Sequence, residues 1–161
     1  MDPYIQLVQN YFAWKGWPAE LNGEGTLIRL KYTLEAAGSW ELFARTDPEH
    51  RMLLFFSVLP QKADADKRPL VAEFITRTNF GMSIGNFEMD WADGEIRYRT
   101  GFAFGDDGPD FEEIDRLVMA NLVAVEDNYT VLQQVMRGEL SPTAAVEKVR
   151  SEEGPDFTFR S

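Results

Sequence analysis

Hydrophobic and polar positions along this chain switch between a helical period and a strand period. Tyr4, Ile5, Leu7, Val8, Tyr11, Phe12 and Trp14 recur on one broad helical face. Asp2 supplies an N-cap side chain, Pro3 suits the first helical position, and Gly16 and Pro18 close the helix. After the turn Asn22-Gly23-Glu24-Gly25 the period becomes two. Ile28, Leu30, Tyr32 and Leu34 alternate with Arg29, Lys31 and Thr33, and Trp40, Leu42 and Ala44 alternate with Glu41, Phe43 and Arg45. Met52 through Leu59 is apolar on both parities, which predicts an interior strand covered on part of its second face. The three strands read as an antiparallel meander.

A second helix carries Pro69 in its first turn, then Leu70, Phe74, Ile75 and Thr78, and stops at Gly81 as its C′ residue. Phe87 and Met89 then alternate with Asn86, Glu88 and Asp90. Asp93-Gly94 predicts a hairpin, and Ile96, Tyr98, Phe102 and Phe104 return with Arg97 and Arg99 opposite. With Asp93 and Gly94 as the two loop residues, Asp90 faces Arg97 and Glu88 faces Arg99.

The longest periodic segment runs from about Asp110 to Arg137, with an acidic first turn suited to the helix dipole. It would be about 40 Å long, against roughly 25 Å for the strands it covers. Its stripe therefore overhangs the sheet, and Leu122, Val125, Tyr129, Leu132 and Met136 form a candidate dimer surface. Ser141-Pro142 opens a last helix ending near Arg150. The order α-βββ-α-ββ-α-α predicts an α+β domain over residues 1–150, an antiparallel sheet of about five strands with helices on one face. Residues 151–161 read as a loosely attached tail.

Composition narrows the classes. The 161 residues include no cysteine and one histidine, which removes disulfides and thiolate chemistry and leaves zinc poorly served. A formal charge of −11 disfavours nucleic acid as the main partner. No apolar run approaches the ~18 residues of a membrane span, and the acidic start Met1-Asp2-Pro3-Tyr4 has no signal-peptide pattern. The expectation is a cytoplasmic protein with no membrane or nucleic-acid partner.

One stretch carries the letters of a catalytic motif. Gly81-Met82-Ser83-Ile84-Gly85 matches the G-x-S-x-G of a hydrolase elbow, which needs a strand before the serine and a helix after it. Here the helix comes first, and the only histidine, His50, precedes the serine in a predicted turn. Gly81 is better explained as a helix stop, and Gly85 as a bulge or close contact. Placing Gly94 or Gly108 at the glycine of a calcium loop puts Met89, Trp91, Ala103, Gly105 or Ile114 where oxygen donors are needed. There is no dinucleotide or P-loop motif. No metal or cofactor is expected.

The unusual grouping is a basic and aromatic patch on an acidic chain. Arg29, Lys31, Arg45, Arg97 and Arg99 share the polar parity of their strands with Phe43, and with Leu53 and Phe55. Cross-strand ion pairing, with arginine stems over aromatics, accounts for it structurally; a protein-binding patch accounts for it functionally.

These residues also carry a resemblance. Trp40-Glu41-Leu42-Phe43-Ala44-Arg45, Phe55 to Pro60, Arg68-Pro69, Asn79-Phe80-Gly81 through Asp90, and Asp93 to Tyr98 resemble the YbjN domain family. The likeness covers about residues 15–150 with the flanking helices. The family is similar in fold to type III secretion chaperones, small acidic proteins that are usually dimeric and bind client segments. The resemblance implies a non-enzymatic interaction module, chaperone-like or regulatory, and no catalytic residues. The leading expectation is a homodimer holding a protein partner through apolar patches and sheet edges. A regulator binding a small molecule between helices and sheet, and a hydrolase using Ser83, are the alternatives.

Overall fold

The computed structural model describes residues 2–152. Its elements are α1 (Pro3–Lys15), β1 (Glu20–Leu21), β2 (Leu27–Leu34), β3 (Gly38–Asp47), β4 (Met52–Val58), α2 (Arg68–Asn79), β5 (Asn86–Met89), β6 (Ile96–Ala103), α3 (Phe111–Met136) and α4 (Pro142–Glu152). Asp2 caps α1 by accepting the Tyr4 N–H at 2.9 Å. Asp110 and Glu113 close a reciprocal capping box on α3. The strands pair antiparallel throughout, in the order β1-β2-β3-β4-β6-β5. The expected five strands are present, with the two-residue β1 as a sixth, too short to show an alternation. The expected tail lies almost entirely outside the described residues.

The inner face of the sheet carries the core. Ile28, Leu30, Trp40, Leu42, Ala44, Leu53, Phe55, Ile96 and Tyr98 are buried with Ile5, Val8 and Phe12 of α1 and Ile114, Val118, Leu122 and Val125 of α3. A polar network sits inside this apolar layer. Trp40 Nε1 donates to Ser57 Oγ at 3.0 Å, and the Ser57 hydroxyl donates to Asn121 Oδ1. The Asn121 amide donates to the carbonyls of Phe55 and Tyr98 and to Thr100 Oγ1, each at 3.2 Å. One side chain of α3 thus ties the helix to β4 and β6.

Two expectations change here. The stripe Leu122, Val125, Tyr129, Leu132 and Met136 is buried within the single chain, so it cannot present a dimer surface. Its overhang is covered from inside the molecule: α2 and α4 pack on α3, and Ala145, Val146 and Val149 of α4 join the same core. The long helix needed a second partner, and the last helix of its own chain is that partner.

The hairpin register also differs. Glu88 lies opposite Arg97 and Asn86 opposite Arg99. Asp90 N–H donates to Glu95 O, Ala92 N–H to Asp90 Oδ1, and Glu95 N–H to Asp93 Oδ1. These aspartate turns make a four-residue loop in place of the two-residue one and shift the partners by two positions. The Glu88–Arg99 ion pair survives as a diagonal contact at 2.9 Å, and Arg97 also pairs with Glu88 at 3.3 Å.

Tyr98 joins the core to the segment entering β5. Its hydroxyl donates to Ile84 O at 2.6 Å, and burial pushes its ionisation up to about 12. An unfolded tyrosine ionises near pH 10. The raised value means the unfolded chain releases this proton first, so folded stability is fully present below about pH 10 and drains as pH rises toward 12. The Tyr11 phenol, buried and donating to Asp115 Oδ1 at 2.7 Å, is pushed up as well. Urea titrations at pH 8 and pH 11 should show a stability loss that is smaller in Tyr98→Phe, the remainder belonging to Tyr11.

Candidate functional site

The helices cover one face of the sheet and leave the other to solvent. Side chains of that outer face stand in cross-strand rows. One row runs Arg29, Phe43, Phe56, Arg99 and Asn86; the next runs Lys31, Glu41, Val58, Arg97 and Glu88. A third carries Leu27, Arg45, Leu54 and Gly101. Gly101 is needed there, because a Cβ on it would lie 2.8 Å from the backbone Leu53 O as well as 2.5 Å from Leu54 Cδ2. Leu54 therefore rests over a bare stretch of β6.

Phe56 is the hub. The Arg97 guanidinium stands 4.6 Å from its ring centroid and that of Arg45 5.6 Å, leaving the residue only 8% exposed. Arg29 pairs with Glu41 at 2.7 Å, and Glu88 holds Arg97 and Arg99. Among the described residues, no carboxylate lies within 4 Å of Lys31 or Arg45. Phe43, Leu54 and Val58 are half-buried between these cations. Ion pairing and stacking are thus both realised, and Lys31 and Arg45 stand beside an apolar floor with no ion-pair partner among the described residues.

The expected patch is corrected on one strand. Arg29, Lys31, Phe43, Arg45, Arg97 and Arg99 share the outer face, but Leu53 and Phe55 are fully buried beneath it. Leu54, Phe56 and Val58 take their place. The reason is Ser57, which shares the parity of Leu53 and Phe55 and marks it as polar by pattern. Inside the fold Trp40 and Asn121 satisfy that hydroxyl, so the strand turns its serine inward. A polar residue on each of two stripes that meet, Ser57 in the run 52–59 and Asn121 in the α3 stripe, was the available signal.

Both sheet edges are blunted. The Asn79 side chain on α2 imitates a strand against β5, donating to Phe87 O at 2.9 Å and accepting Phe87 N–H at 2.8 Å. On the other side the edge strand β1 is only two residues long, Glu20–Leu21, and the chain before it turns at Pro18, where Ala19 N–H donates to Trp17 O at 2.9 Å. The Trp17 ring meets Tyr32 at 6.0 Å beside that turn. Both edge strands are short, which disfavours the strand addition that is part of the sequence expectation. The outer face is the accessible surface.

Ser83 lies exposed in the segment entering β5. Gly81 follows the α2 C-cap residue Phe80 with φ +98°, and a Cβ on Gly85 would sit 2.5 Å from Arg99 O. The two glycines therefore stop a helix and admit a close strand contact. His50 is held by Asp47 through its Nδ1 at 2.8 Å, in the β3–β4 turn.

A cleft of about 450 Å³ opens where the β2–β3 turn meets α3 and α4, lined by Ala36, Ala37, Val131 and Val149 with Glu126, Asp127, Lys148 and Glu152 around them. Burial and the neighbouring Glu126 carboxylate raise the Asp127 carboxyl above its usual range. Among the described residues no group of histidines and carboxylates is placed to hold a metal ion, and no helix is long and apolar enough to cross a membrane.

A six-stranded antiparallel sheet with α1 and α3 on one face and α2 and α4 flanking α3 is an α+β fold of the type III secretion chaperone-like kind. It is similar to a chain of the ExsC–ExsE complex, with a TM-score of 0.52 and 14% identity, covering 81% of this chain and 93% of that one. It is likewise similar to YbjN from E. coli, with a TM-score of 0.53 and 9% identity over 83% and 89%. A chain of the HopA1–SchA chaperone–effector complex aligns with a TM-score of 0.47 and 15% identity over 84% and 91%. No curated protein matches in sequence. The YbjN family model, described as "Putative bacterial sensory transduction regulator", matches residues 5–134, and the chain belongs to this family. The match takes in most of α1, where the sequence resemblance began near residue 15, and stops within α3, before α4.

Proposed function

We propose that this chain is a non-enzymatic protein-interaction module, chaperone-like or regulatory, that docks a protein partner on the outer face of its sheet. The observation that carries this reading is the uncovered face itself. Phe43, Leu54 and Val58 lie half-buried among arginines with no helix over them, while the edge strands are short and Asn79 occupies part of the β5 edge. Membership of the YbjN family supports a regulatory setting, and the similar ExsC fold was solved in a protein–protein complex.

The homodimer reading moves to another surface. Phe80, Ile84 and Trp91 are among the exposed large apolar side chains, and they flank β5 where the chain enters and leaves it. A second copy would meet that side through side chains, since Asn79 occupies the strand edge.

Photo-cross-linking in the native cell tests both parts. With benzoylphenylalanine at Phe43 or Leu54, a discrete adduct with another protein is expected, and none from Glu147 on the exposed side of α4. At Trp91 the expected adduct has twice the mass of the chain. Equal labelling from Glu147, or no adduct from the sheet positions, would sink the docking reading.

A further inference from the structure

We infer that the partner segment docked on this face is acidic, with carboxylates flanking an apolar centre. This rests on the outer face being the docking surface and names the chemistry that it selects. The three central rows hold five cations, Arg29, Lys31, Arg45, Arg97 and Arg99, against the carboxylates Glu20, Glu41 and Glu88. The chain as a whole carries −11. These three central rows therefore carry a net +2, opposite in sign to the chain as a whole, with Asp47, Asp90 and Glu95 at the margins of the same face, and charge complementarity at this centre is the warrant for the occupant.

Placement sharpens the assignment. Lys31 and Arg45 have no carboxylate within ion-pair distance among the described residues, and they stand on opposite sides of Phe43. The exposed Arg45 has its guanidinium 5.6 Å from the Phe56 ring centroid. A planar guanidinium held in that way has its donors fixed, and it accepts a carboxylate at less orientational cost than a free side chain. Between the cations, Phe43, Leu54 and Val58 form an apolar floor that spans β3 and β4, so apolar side chains belong at the centre of the bound segment.

A nucleic acid fits the same cations less well. Its bases need open aromatic faces, and Phe56, with two guanidinium groups over its ring, is only 8% exposed. A polyphosphate also meets the −11 field along its whole length, where a peptide brings only a few carboxylates.

Fluorescence anisotropy decides it, with three labelled probes on the full chain. They are a 12-residue peptide with Glu and Asp flanking a Leu-Phe centre, its Lys-substituted counterpart, and a single-stranded 12-mer of thymidylate. The acidic peptide is expected to bind at least tenfold more tightly than either other probe and to weaken severalfold when salt rises from 50 to 300 mM. In Lys31→Glu/Arg45→Glu, with far-UV circular dichroism unchanged, its affinity should fall at least tenfold while the Lys peptide gains. The uncharged Lys31→Gln/Arg45→Gln should fall between. Tighter binding of the Lys peptide or the oligonucleotide overturns the inference, as does acidic-peptide binding unmoved by charge reversal, or none at millimolar protein. A sheet-specific cross-link from Phe43 combined with any of these results leaves the docking reading standing and removes only its acidic chemistry.

Discussion

Trp40→Ala is expected to lower the unfolding free energy by about 3–5 kcal/mol, a large part of the roughly 5–15 kcal/mol typical of a domain. Trp40 is 2% exposed on the inner face of β3. Its ring stacks on Tyr129 at 5.6 Å and tilts against Tyr32 at 5.1 Å, so one side chain joins α3 to β2 and β3. Alanine leaves a void lined by rings that the backbone of β2, β3 and α3 holds apart, so collapse is limited. It also takes away the N–H that Ser57 accepts. Trp40→Phe retains most of the contact and loses the donor, so its cost should be nearer 1–2 kcal/mol. Urea unfolding followed by circular dichroism separates the two. A loss below 1 kcal/mol for the alanine variant would contradict this account of the core.

Asn121→Leu should cost about 2–4 kcal/mol, although it replaces a polar side chain with an apolar one of similar size in an apolar core. The amide donates to two strand carbonyls and to Thr100 Oγ1, and it accepts the Ser57 hydroxyl. Leucine leaves that hydroxyl without its acceptor where no water reaches, since Ser57 and Asn121 are both fully buried. The pair should therefore behave as a unit. Ser57→Ala removes the orphaned hydroxyl, at the cost of leaving Trp40 Nε1–H without its acceptor in either background, and the double variant is expected to lose less than the sum of the single losses by at least 0.5 kcal/mol. An additive double-mutant cycle would show that the network is geometry without coupling.

The predictions differ in how far the chain alone foretold them. Trp40 stood on an apolar parity beside Leu42 and Ala44, and its burial follows from alternation. Asn121 does not stand out in the pattern, because its neighbours Val118, Leu122 and Val125 hold the helical stripe without it. Its role depends on Ser57, 64 positions away, and no local pattern links the two. The outer face was legible on β2, β3 and β6, where charged residues alternate with apolar ones. On β4 it was not, because Leu53, Leu54, Phe55 and Phe56 offer the same side chains to both faces.

Local chemistry, read from the chain alone, determined the helix starts at Asp2 and Asp110, the stop at Gly81, the alternation of β2, β3 and β6, and the α+β order. Each of these depends on residues within a few positions of one another, where capping, φ preference and periodicity act. The strand order, the parity of β4, the hairpin register and the cover over α3 were decided only in three dimensions. Each turns on which of several equally apolar surfaces meet, and on whether a polar group such as Ser57 finds partners once water is gone. The α3 stripe shows the difference most plainly: its spacing demanded a partner, and only packing revealed that α4 supplies it.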